Sequence, residues 1–338
     1  MTTPLVSVIM PVYNGRKYLS EAVSSILSQS LPHFELIVVD DGSSDDSSSI
    51  VEGFRDERIR LIRNSENRGV AFSLNRAIET SRGEFIARMD SDDVAYTHRL
   101  ERQVEFLKKH HDVGICGSSV RQFGGKRGIF PYPETDGLIR AHHLFNPSFA
   151  HPAVCWRKSL FIEKGLKYQE DPPTAEDYQL WVELSDHTKM ANLREPLLNY
   201  RVDASIKISS YLEQQRSGGR QIRAQLLEKL GKWQSDELEI HHHVAEGREI
   251  IDLLFLKKTS LNFSKIVKIN QNLMIFDENS LNLILSEYWF RVLSLGVRNR
   301  CVSFSQLLRF SREKKAFKLS SRNQLALWRR LFLKKNGG

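Results

Sequence analysis

Cysteine is scarce in this chain of 338 residues, which contains only Cys116, Cys155 and Cys301 and no CxxC pair. An odd number of distant cysteines argues against a disulfide framework or a structural zinc site and is typical of a reducing compartment. Long apolar runs are also lacking, since no stretch reaches the ~18 residues needed to span a bilayer. The chain does not open with a basic segment followed by an apolar one, which argues against a secretory signal. We therefore expect a cytoplasmic protein.

Acidic residues are almost absent from one region, the C-terminal tail. The formal net charge is +8, but residues 1–204 carry net −4, residues 205–290 are neutral and residues 291–338 carry net +12. The basic character therefore belongs to the tail alone. Such asymmetry indicates an anionic partner for the tail, such as a membrane surface, a nucleic acid or an acidic protein.

The order of apolar patterns predicts the fold class. Strand-like runs and helical spacings alternate four times within residues 5–116, which predicts βαβ units and a parallel sheet. The glycine-rich residues 124–128 predict a hairpin turn, and residues 129–150 are rich in loop formers. From about residue 205 the patterns are helical only. We predict an α/β domain over residues 1–205, with a mostly parallel central sheet flanked by helices, and a mainly α-helical, basic region over residues 206–338.

Three of the predicted strands end in polar residues, at positions 13–14, 40–41 and 90–92. In open α/β sheets the ligand lies beyond the carboxyl ends of the strands. These three clusters should therefore converge on one crevice. Their convergence indicates a functional site more strongly than any single motif does.

Residues 90–93, which we name the acidic turn, hold Asp90, Asp92 and Asp93 at the end of an apolar run. Carboxylates this close repel one another and need a cation or solvent. The spacing does not fit an EF-hand loop, whereas Mg²⁺ or Mn²⁺ completed by a substrate diphosphate fits it. The alternative is a solvated turn, and Asp93 is interpreted as no more than a helix cap.

Two residues near the predicted crevice have alternatives. In one interpretation, Asp41 accepts hydrogen bonds from a nucleotide base or ribose. In the other, the run at 40–46 only caps the next helix, and residues 43–45 suffice for that role. Tyr13 would stack on a base, or it is a half-buried aromatic residue of a loop.

Glu176 and Asp177 fall in the first turn of a predicted helix, where the helix dipole alone favours carboxylates. The functional interpretation makes Asp177 a general base for an attacking hydroxyl. Trp181 lies one turn further on the same face and would be a sugar platform or a core residue. His151 and the run 241–243 lack a ligand-spaced partner, so we interpret them as surface or core histidines.

Four segments together resemble the family 2 inverting glycosyltransferases with the GT-A fold. They are VSVIMPVYNG (6–15), FELIVVDDGSSDDS (34–47), NSENRGVAFSLNRAIETSRGEFIARMDSDD (64–93) and AEDYQLWVEL (175–184). The resemblance covers roughly residues 5–203. The QxxRW motif of the processive synthases is absent, which indicates the non-processive type.

The resemblance implies roles for particular residues. Those that would hold the nucleotide are Pro11, Tyr13, Asp41 and Asn67, with Gly69 and Asn75 close to it. Asp90 and Asp92 match the DxD pair, with Asp92 the direct ligand of Mg²⁺ or Mn²⁺ and Asp90 a ribose or water-mediated contact. Asp177 matches the catalytic base.

The resemblance also implies an activity. The protein would be a metal-dependent hexosyltransferase that moves one sugar from a nucleotide-diphosphate sugar, expected to be UDP-linked, to an acceptor hydroxyl. The acceptor would be a saccharide or a lipid-linked saccharide in cell-surface polysaccharide or glycolipid assembly. The alternatives are a non-catalytic nucleotide-sugar binding module and, less favoured, a nucleic-acid binder that uses the basic tail.

The tail carries a further pattern at residues 321–335, where an apolar stripe with Trp328 is flanked by cations. This is typical of a helix that lies in a membrane interface. The alternative is a helix that packs on the catalytic domain or on a second subunit of a homo-oligomer. A peripheral position at the inner face of the membrane therefore stays open.

Overall fold

The computed structural model describes residues 3–170, 175–202, 209–247, 252–299 and 306. In this part of the chain there are nine strands: β1 (Val6–Val12), β2 (Phe34–Asp40), β3 (Ile59–Arg63), β4 (Phe85–Arg88), β5 (Val94–Ala95), β6 (Val113–Gly124), β7 (Gly128–Phe130), β8 (Cys155–Arg157) and β9 (Lys189–Val202). The described helices are α1 (Leu19–Leu27), α2 (Ser47–Gly53), α3 (Val70–Thr80), α4 (Arg99–Lys109), α5 (Asp136–His142), α6 (Ser159–Lys164), α7 (Glu176–Ser185), α8 (Ser209–Leu230), α9 (Ser235–Glu246), α10 (Leu253–Leu273) and α11 (Glu278–Arg298).

The chain divides into two compact units. The first comprises the described residues of 1–136 and 147–215, and the second comprises 137–146 with the described residues of 216–338. The sequence predicts a single boundary near residue 205. In the fold, residues 137–146 leave the first unit and belong to the second one. This excursion contains most of α5, a helix in the segment where the sequence predicts loops.

One half of the sheet, which we name the parallel half, contains β3, β2, β1 and β4 in that order. Its strands pair in parallel, with Val6 of β1 opposite both Phe34 of β2 and Phe85 of β4. Every residue of β2 is buried, and so are all but one of β1. Strands buried on both faces are expected in parallel sheets covered by crossover helices. The predicted βαβ units are confirmed here.

The other half, which we name the mixed half, continues with β8, β6, β9 and β5, and β7 pairs with β6 as a hairpin. β8 runs antiparallel to both β4 and β6, β9 is parallel to β6, and β5 is antiparallel to β9. The hairpin at 124–128 is confirmed. The sheet is therefore mixed in this half, because the short strand β8 returns from residue 155 and lies between β4 and β6.

The core of the first unit follows from the apolar periodicity. α4 buries Leu100, Val104 and Leu107, which recur at helical spacing on one face. Phe85, Ala87 and Met89 of the β4 segment point into the same apolar cluster. Because side chains alternate along a strand, Arg88 belongs to the other face of the sheet.

The second unit is helical and has its own aromatic centre. The ring of Phe145 stacks on Tyr288 with centroids 3.9 Å apart and on His241 at 4.6 Å. The side chain of Asn146 donates to the hydroxyl of Tyr288 (2.7 Å) and to the carbonyl of Ala245 (3.1 Å). His241 and His242 are buried, so of the two alternatives for the histidine run, surface or core, these two residues belong to the core.

No described helix is long and apolar enough to cross a membrane. The predicted interfacial helix at 321–335 lies outside the described residues.

Candidate active site

The polar ends of β1, β2 and β4 meet at one edge of the sheet. The backbone N–H of Met89 donates to Ile9 O (3.0 Å), and that of Asp41 donates to Val12 O (2.8 Å). A Cβ added to Gly15 would lie 3.3 Å from Oγ of Ser91, so the loop after β1 lies against the acidic turn. The predicted convergence of these strand ends is therefore present in the fold.

The loop after β1 is held by the loop after β2. The backbone N–H groups of Asn14, Gly15 and Arg16 donate to the side chains of Ser43 (2.9 Å), Ser47 (2.9 Å) and Asp45 (3.0 Å), a set that comes from residues 43–47. Tyr13 is 52% exposed, and Pro11 is only partly exposed. A rigid loop that presents an exposed aromatic ring suits stacking on a planar ligand.

Asp41 does not cap α2. Its Oδ1 accepts hydrogen bonds from Asn64 Nδ2 (2.6 Å) and from the Arg68 N–H (3.0 Å), and its Oδ2 accepts from the Gly69 N–H (2.8 Å). Gly69 has φ +90°, a conformation that L side chains rarely adopt. Asp41 therefore shapes the loop before α3. Because a carboxylate offers about four acceptor sites, one site remains for another donor.

Asn67 and Asn75 have different surroundings. Asn67 is exposed, and its Oδ1 accepts from the Gly69 N–H (3.2 Å). Asn75 is buried, donates to the Tyr168 carbonyl (2.9 Å) and accepts from the Tyr168 N–H (2.9 Å). Asn75 thus ties α3 to the segment before α7, whereas Asn67 stays available at the surface of the loop.

The acidic turn brings three carboxylates together. One oxygen from each of Asp90, Asp92 and Asp93 lies within 4.8 Å of the others. Burial, and then the charge of Asp90, raises the pKa of Asp92 to about 6. The same two causes raise the pKa of Asp93 well above its usual range. Both shifts have the same direction because burial and a neighbouring negative charge each disfavour the ionised form of a carboxyl group.

Asp93 is not a helix cap, and that interpretation was wrong. α4 begins at Arg99, six residues later. Asp93 is 1% exposed, and its Oδ1 accepts the backbone N–H of Arg201 at 2.7 Å. Its Oδ2 is buried and has no hydrogen-bond partner among the described residues. Asp93 is therefore part of the carboxylate cluster and connects it to β9.

Two arginines that the sequence interpretation missed lie at the acidic turn. Nη1 of Arg88 is 2.5 Å from Oδ2 of Asp90, and Arg88 is only 4% exposed. Nε of Arg201 donates to the Asp92 carbonyl (2.7 Å), and Nη2 contacts Glu21 (2.5 Å). The guanidinium of Arg201 also covers the rings of Tyr18 and Phe123, at 3.9 and 4.3 Å from their centroids. Arg88 was recognisable as a charge inside an apolar strand, but no local signal marked Arg201.

Asp177 lies in the first turn of α7, as predicted. It is half-buried, and the Tyr178 N–H donates to its Oδ1 at 2.7 Å. Burial, and then repulsion from Glu176, raises the pKa of Asp177 to about 7, although Arg88 lies close enough to oppose this rise. A carboxylate that titrates near neutrality is suited to accept a proton from a hydroxyl.

Trp181 is not a sugar platform, because it is 0% exposed. Its ring packs against Phe149 (5.4 Å between centroids), His151 (5.8 Å) and Trp156 (6.3 Å). The core alternative was therefore correct. His151 shares a hydrogen bond of 2.9 Å with the Tyr168 hydroxyl, and burial holds the pKa of His151 well below its usual range.

The donor set of the acidic turn fits a hard divalent cation. Carboxylate oxygens are the ligands that Mg²⁺ and Mn²⁺ prefer, and the buried, unpartnered Oδ2 of Asp93 is a polar atom that a cation would satisfy. Among the described residues this is the cluster of carboxylates able to hold an ion. Asp90 and Asp92 are the members with solvent access.

Comparison with known proteins identifies the class. Residues 7–167 match the family described as "Glycosyl transferase family 2". The chain is 35% identical over 210 residues to the putative glycosyltransferase EpsE of Bacillus subtilis. The aligned region covers 60% of this chain and 74% of EpsE. It is 45% identical over 106 residues to the putative teichuronic acid biosynthesis glycosyltransferase TuaG of Bacillus subtilis. This aligned region covers 31% of this chain and 42% of TuaG.

The fold has a solved counterpart. The crystal structure of S. aureus TarS 1–349 in complex with UDP-GlcNAc matches with a TM-score of 0.58 at 20% identity, covering 87% of this chain and 91% of that one. The molecule is a glycosyltransferase with a GT-A fold and a helical C-terminal region. The chain belongs to glycosyltransferase family 2.

Proposed function

We propose that the protein transfers one sugar from a nucleotide-diphosphate sugar to an acceptor hydroxyl, with inversion at the anomeric carbon. The observation that carries this proposal is the pairing of an acidic turn with a carboxylate of raised pKa. Arg88 lies within the electrostatic reach of both, because its charge lowers the pKa of Asp92 and of Asp177. A cation seat and a proton acceptor that share Arg88 as an electrostatic neighbour suit a displacement at carbon with a diphosphate leaving group.

In this reaction Asp177 is the general base. It takes the proton from the acceptor hydroxyl while the acceptor oxygen forms its bond to the anomeric carbon. The bond from that carbon to the diphosphate oxygen breaks on the opposite face, and the electron pair leaves with the nucleotide. The pKa near 7 supports this role, since about half of such carboxylates are ionised at neutral pH.

The donor would be held by the ends of β1, β2 and β4. Tyr13 and Pro11 offer a stacking surface, Asp41 offers one remaining acceptor site, and Asn67 offers an exposed amide. Asp90 would contact the ribose or an intervening water, and Asp92 would bind Mg²⁺ or Mn²⁺. A bound cation would neutralise the negative charge that develops on the departing diphosphate.

The comparisons support a UDP-sugar and a surface-polymer context. The TarS structure is a complex with UDP-GlcNAc, and TuaG is described as a putative glycosyltransferase of teichuronic acid biosynthesis. By this analogy the acceptor would be a growing saccharide or a lipid-linked saccharide, reached from the cytoplasmic side. The absence of QxxRW supports transfer of a single sugar rather than polymer synthesis.

A screen of nucleotide sugars tests the proposal. The full chain would be incubated with UDP-, GDP- and dTDP-sugars in Mn²⁺ or in EDTA, and both thermal stability and nucleotide release would be measured. We expect one donor to stabilise the protein and to be cleaved only with Mn²⁺. Cleavage of no donor, with Mn²⁺-dependent binding retained, would favour the non-catalytic binding module. The anomeric coupling constant of a transferred sugar, measured by NMR, would decide inversion.

A further inference from the structure

Arg88 is a buried cation beside the acidic turn, and the resemblance to the family assigns it no role. It is the last residue of β4 and lies two residues before Asp90. Nη1 forms an ion pair with Oδ2 of Asp90 at 2.5 Å, and both Nη1 and Nε are buried without a well-aligned hydrogen bond to a described residue. A buried guanidinium with an unused donor lowers stability, so an apolar side chain would serve the fold better.

The backbone of Arg88 is held on both sides. Its N–H donates to the Val154 carbonyl at 3.0 Å. Its carbonyl accepts from Nη2 of Arg99 at 2.6 Å, and Arg99 is 0% exposed. The backbone of Arg88 is therefore fixed by a strand partner and by a second buried arginine, and its guanidinium is confined by burial and by the ion pair with Asp90.

The partners of the three carboxylates differ. Asp90 has one oxygen against Arg88, and Asp93 has one oxygen on the backbone N–H of Arg201. Asp92 forms no ion pair with a described residue, and Arg201 reaches only its backbone carbonyl. Arg88 is therefore paired with Asp90, whereas the carboxylate of Asp92 feels the charges of Arg88 and Arg201 without an ion pair to either.

We propose that Arg88 is a positioning residue that holds Oδ2 of Asp90 and so leaves Asp92 as the carboxylate that binds the divalent cation directly. The proposal rests on the function proposed above, in which the acidic turn is the cation seat. Arg88 orients Asp90 towards the donor and, as a fixed positive charge, also weakens cation binding at the turn. Arg88 therefore favours the orientation of Asp90 but opposes the binding of the cation.

This opposition makes a distinctive prediction. If Arg88→Gln removes the positive charge, three carboxylates attract a divalent cation without a competing guanidinium. We expect Mn²⁺ to bind about three- to tenfold more tightly, by Coulomb attraction across a few ångströms in a partly screened site. We also expect donor cleavage to fall at least tenfold, since Asp90 loses its fixed orientation. A purely structural residue would lower both quantities.

The experiment measures Mn²⁺ binding to the full chain after metal removal, by titration calorimetry and by the electron paramagnetic resonance signal of free Mn²⁺, with and without UDP. Arg88→Lys keeps the charge and should bind Mn²⁺ within about twofold of the unmodified protein while recovering part of the cleavage rate. Arg88→Met serves as a second neutral variant if Arg88→Gln does not fold. Circular dichroism melts establish that each variant is folded.

Arg60→Gln is the matched control. Arg60 pairs with Glu35 at 3.0 Å, and Glu35 keeps Arg82 as a second partner at 2.8 Å. The control removes the same charge from a site in β3 that the acidic turn does not contact, so Mn²⁺ affinity should not change.

Equal or weaker Mn²⁺ binding in folded Arg88→Gln and Arg88→Met would overturn the role of Arg88 alone, provided that the unmodified protein binds the ion and cleaves a donor. Failure of the unmodified protein to bind Mn²⁺, with or without UDP, would overturn both this inference and the cation seat of the proposed function. Tighter binding with slower cleavage supports the inference.

Discussion

The parallel and mixed halves of the sheet contribute different kinds of residue to the candidate site. The parallel half supplies groups that face the crevice directly after a strand end, such as Tyr13, Asp41 and the acidic turn. The mixed half supplies Arg201 of β9, which holds the acidic turn through the Asp92 carbonyl and through its own N–H to Asp93. The parallel half therefore offers the chemical groups together with Arg88 beside them, and the mixed half adds a positioning residue from far along the chain.

The difference follows from topology. In parallel βαβ units each strand ends at the same edge, so consecutive motifs meet there by construction. An antiparallel or out-of-order strand brings a residue from far along the chain, as with Arg201 and Asp93, which are 108 positions apart. Such a partner orients a motif without belonging to it. Substitutions on the two sides of this division between chemistry and positioning should therefore have different effects.

The largest effect should come from the proposed base on α7. We expect Asp177→Asn to lower transfer roughly 10²–10⁴-fold, because an amide cannot accept the acceptor proton. Donor and Mn²⁺ binding should survive, as measured by calorimetry. Asp186→Asn, an exposed change at the other end of the same helix, is the control and should leave transfer unchanged. Transfer near the unmodified rate in Asp177→Asn would remove the base assignment.

The next effect should come from the acidic turn of the parallel half. Asp92→Asn should lower transfer by roughly 10²-fold and weaken Mn²⁺ binding, because a neutral amide is a poorer ligand for a hard cation. Calorimetric titration with Mn²⁺ checks the second effect. Asp112→Asn, an exposed change paired with Lys189, is the control. Unaltered Mn²⁺ affinity in Asp92→Asn would place the cation elsewhere.

Arg201 tests whether the mixed half only positions the site. Arg201→Met should lower transfer about tenfold and reduce the free energy of unfolding by about 1–3 kcal/mol, since the contacts to Asp92 O and Glu21 are lost. The fall should appear in kcat, with the KM for the donor little changed. Denaturant unfolding and initial rates measure both. If the donor KM rose and kcat did not fall, Arg201 would bind substrate rather than position the turn.

A smaller effect should appear in the pH profile. Asp177 must be ionised to act as a base, and its pKa is raised to about 7, so transfer should fall as pH drops below 7. Glu176→Gln removes the repulsion that contributes to this rise, so the acidic limb should move to lower pH. Rates between pH 5 and 9 test this, with Glu183→Gln on the same helix as the control. An unmoved limb would show that another group sets the profile.

The smallest effect on transfer should come from Trp181. Trp181→Phe should reduce the free energy of unfolding by about 1–3 kcal/mol, because a fully buried ring becomes smaller. The KM for the acceptor should stay unchanged. A large rise of that KM in a folded variant would restore the sugar-platform interpretation.

Local patterns were sufficient for much of the first unit. The predicted strands and helices up to residue 116 agree with β1 to β4 and α1 to α4, because each shows enough apolar periodicity to be recognised. The prediction missed β5, β8, α5 and α6. β5 and β8 have only two and three residues, and such short strands exist because they pair with β9, β4 and β6 rather than because of their own composition.

The acidic turn of Asp90, Asp92 and Asp93, and Asp177 at the start of a helix, were determined by the sequence itself. Carboxylates placed at strand and helix ends can be recognised from residue order alone. Only the tertiary structure decided that Asp93 belongs to the carboxylate cluster, that Trp181 is core, and that Arg88 and Arg201 hold the turn. These outcomes depend on burial and on contacts between distant segments. The role of a charged or aromatic side chain follows from the groups that it packs against, and the fold alone determines those groups.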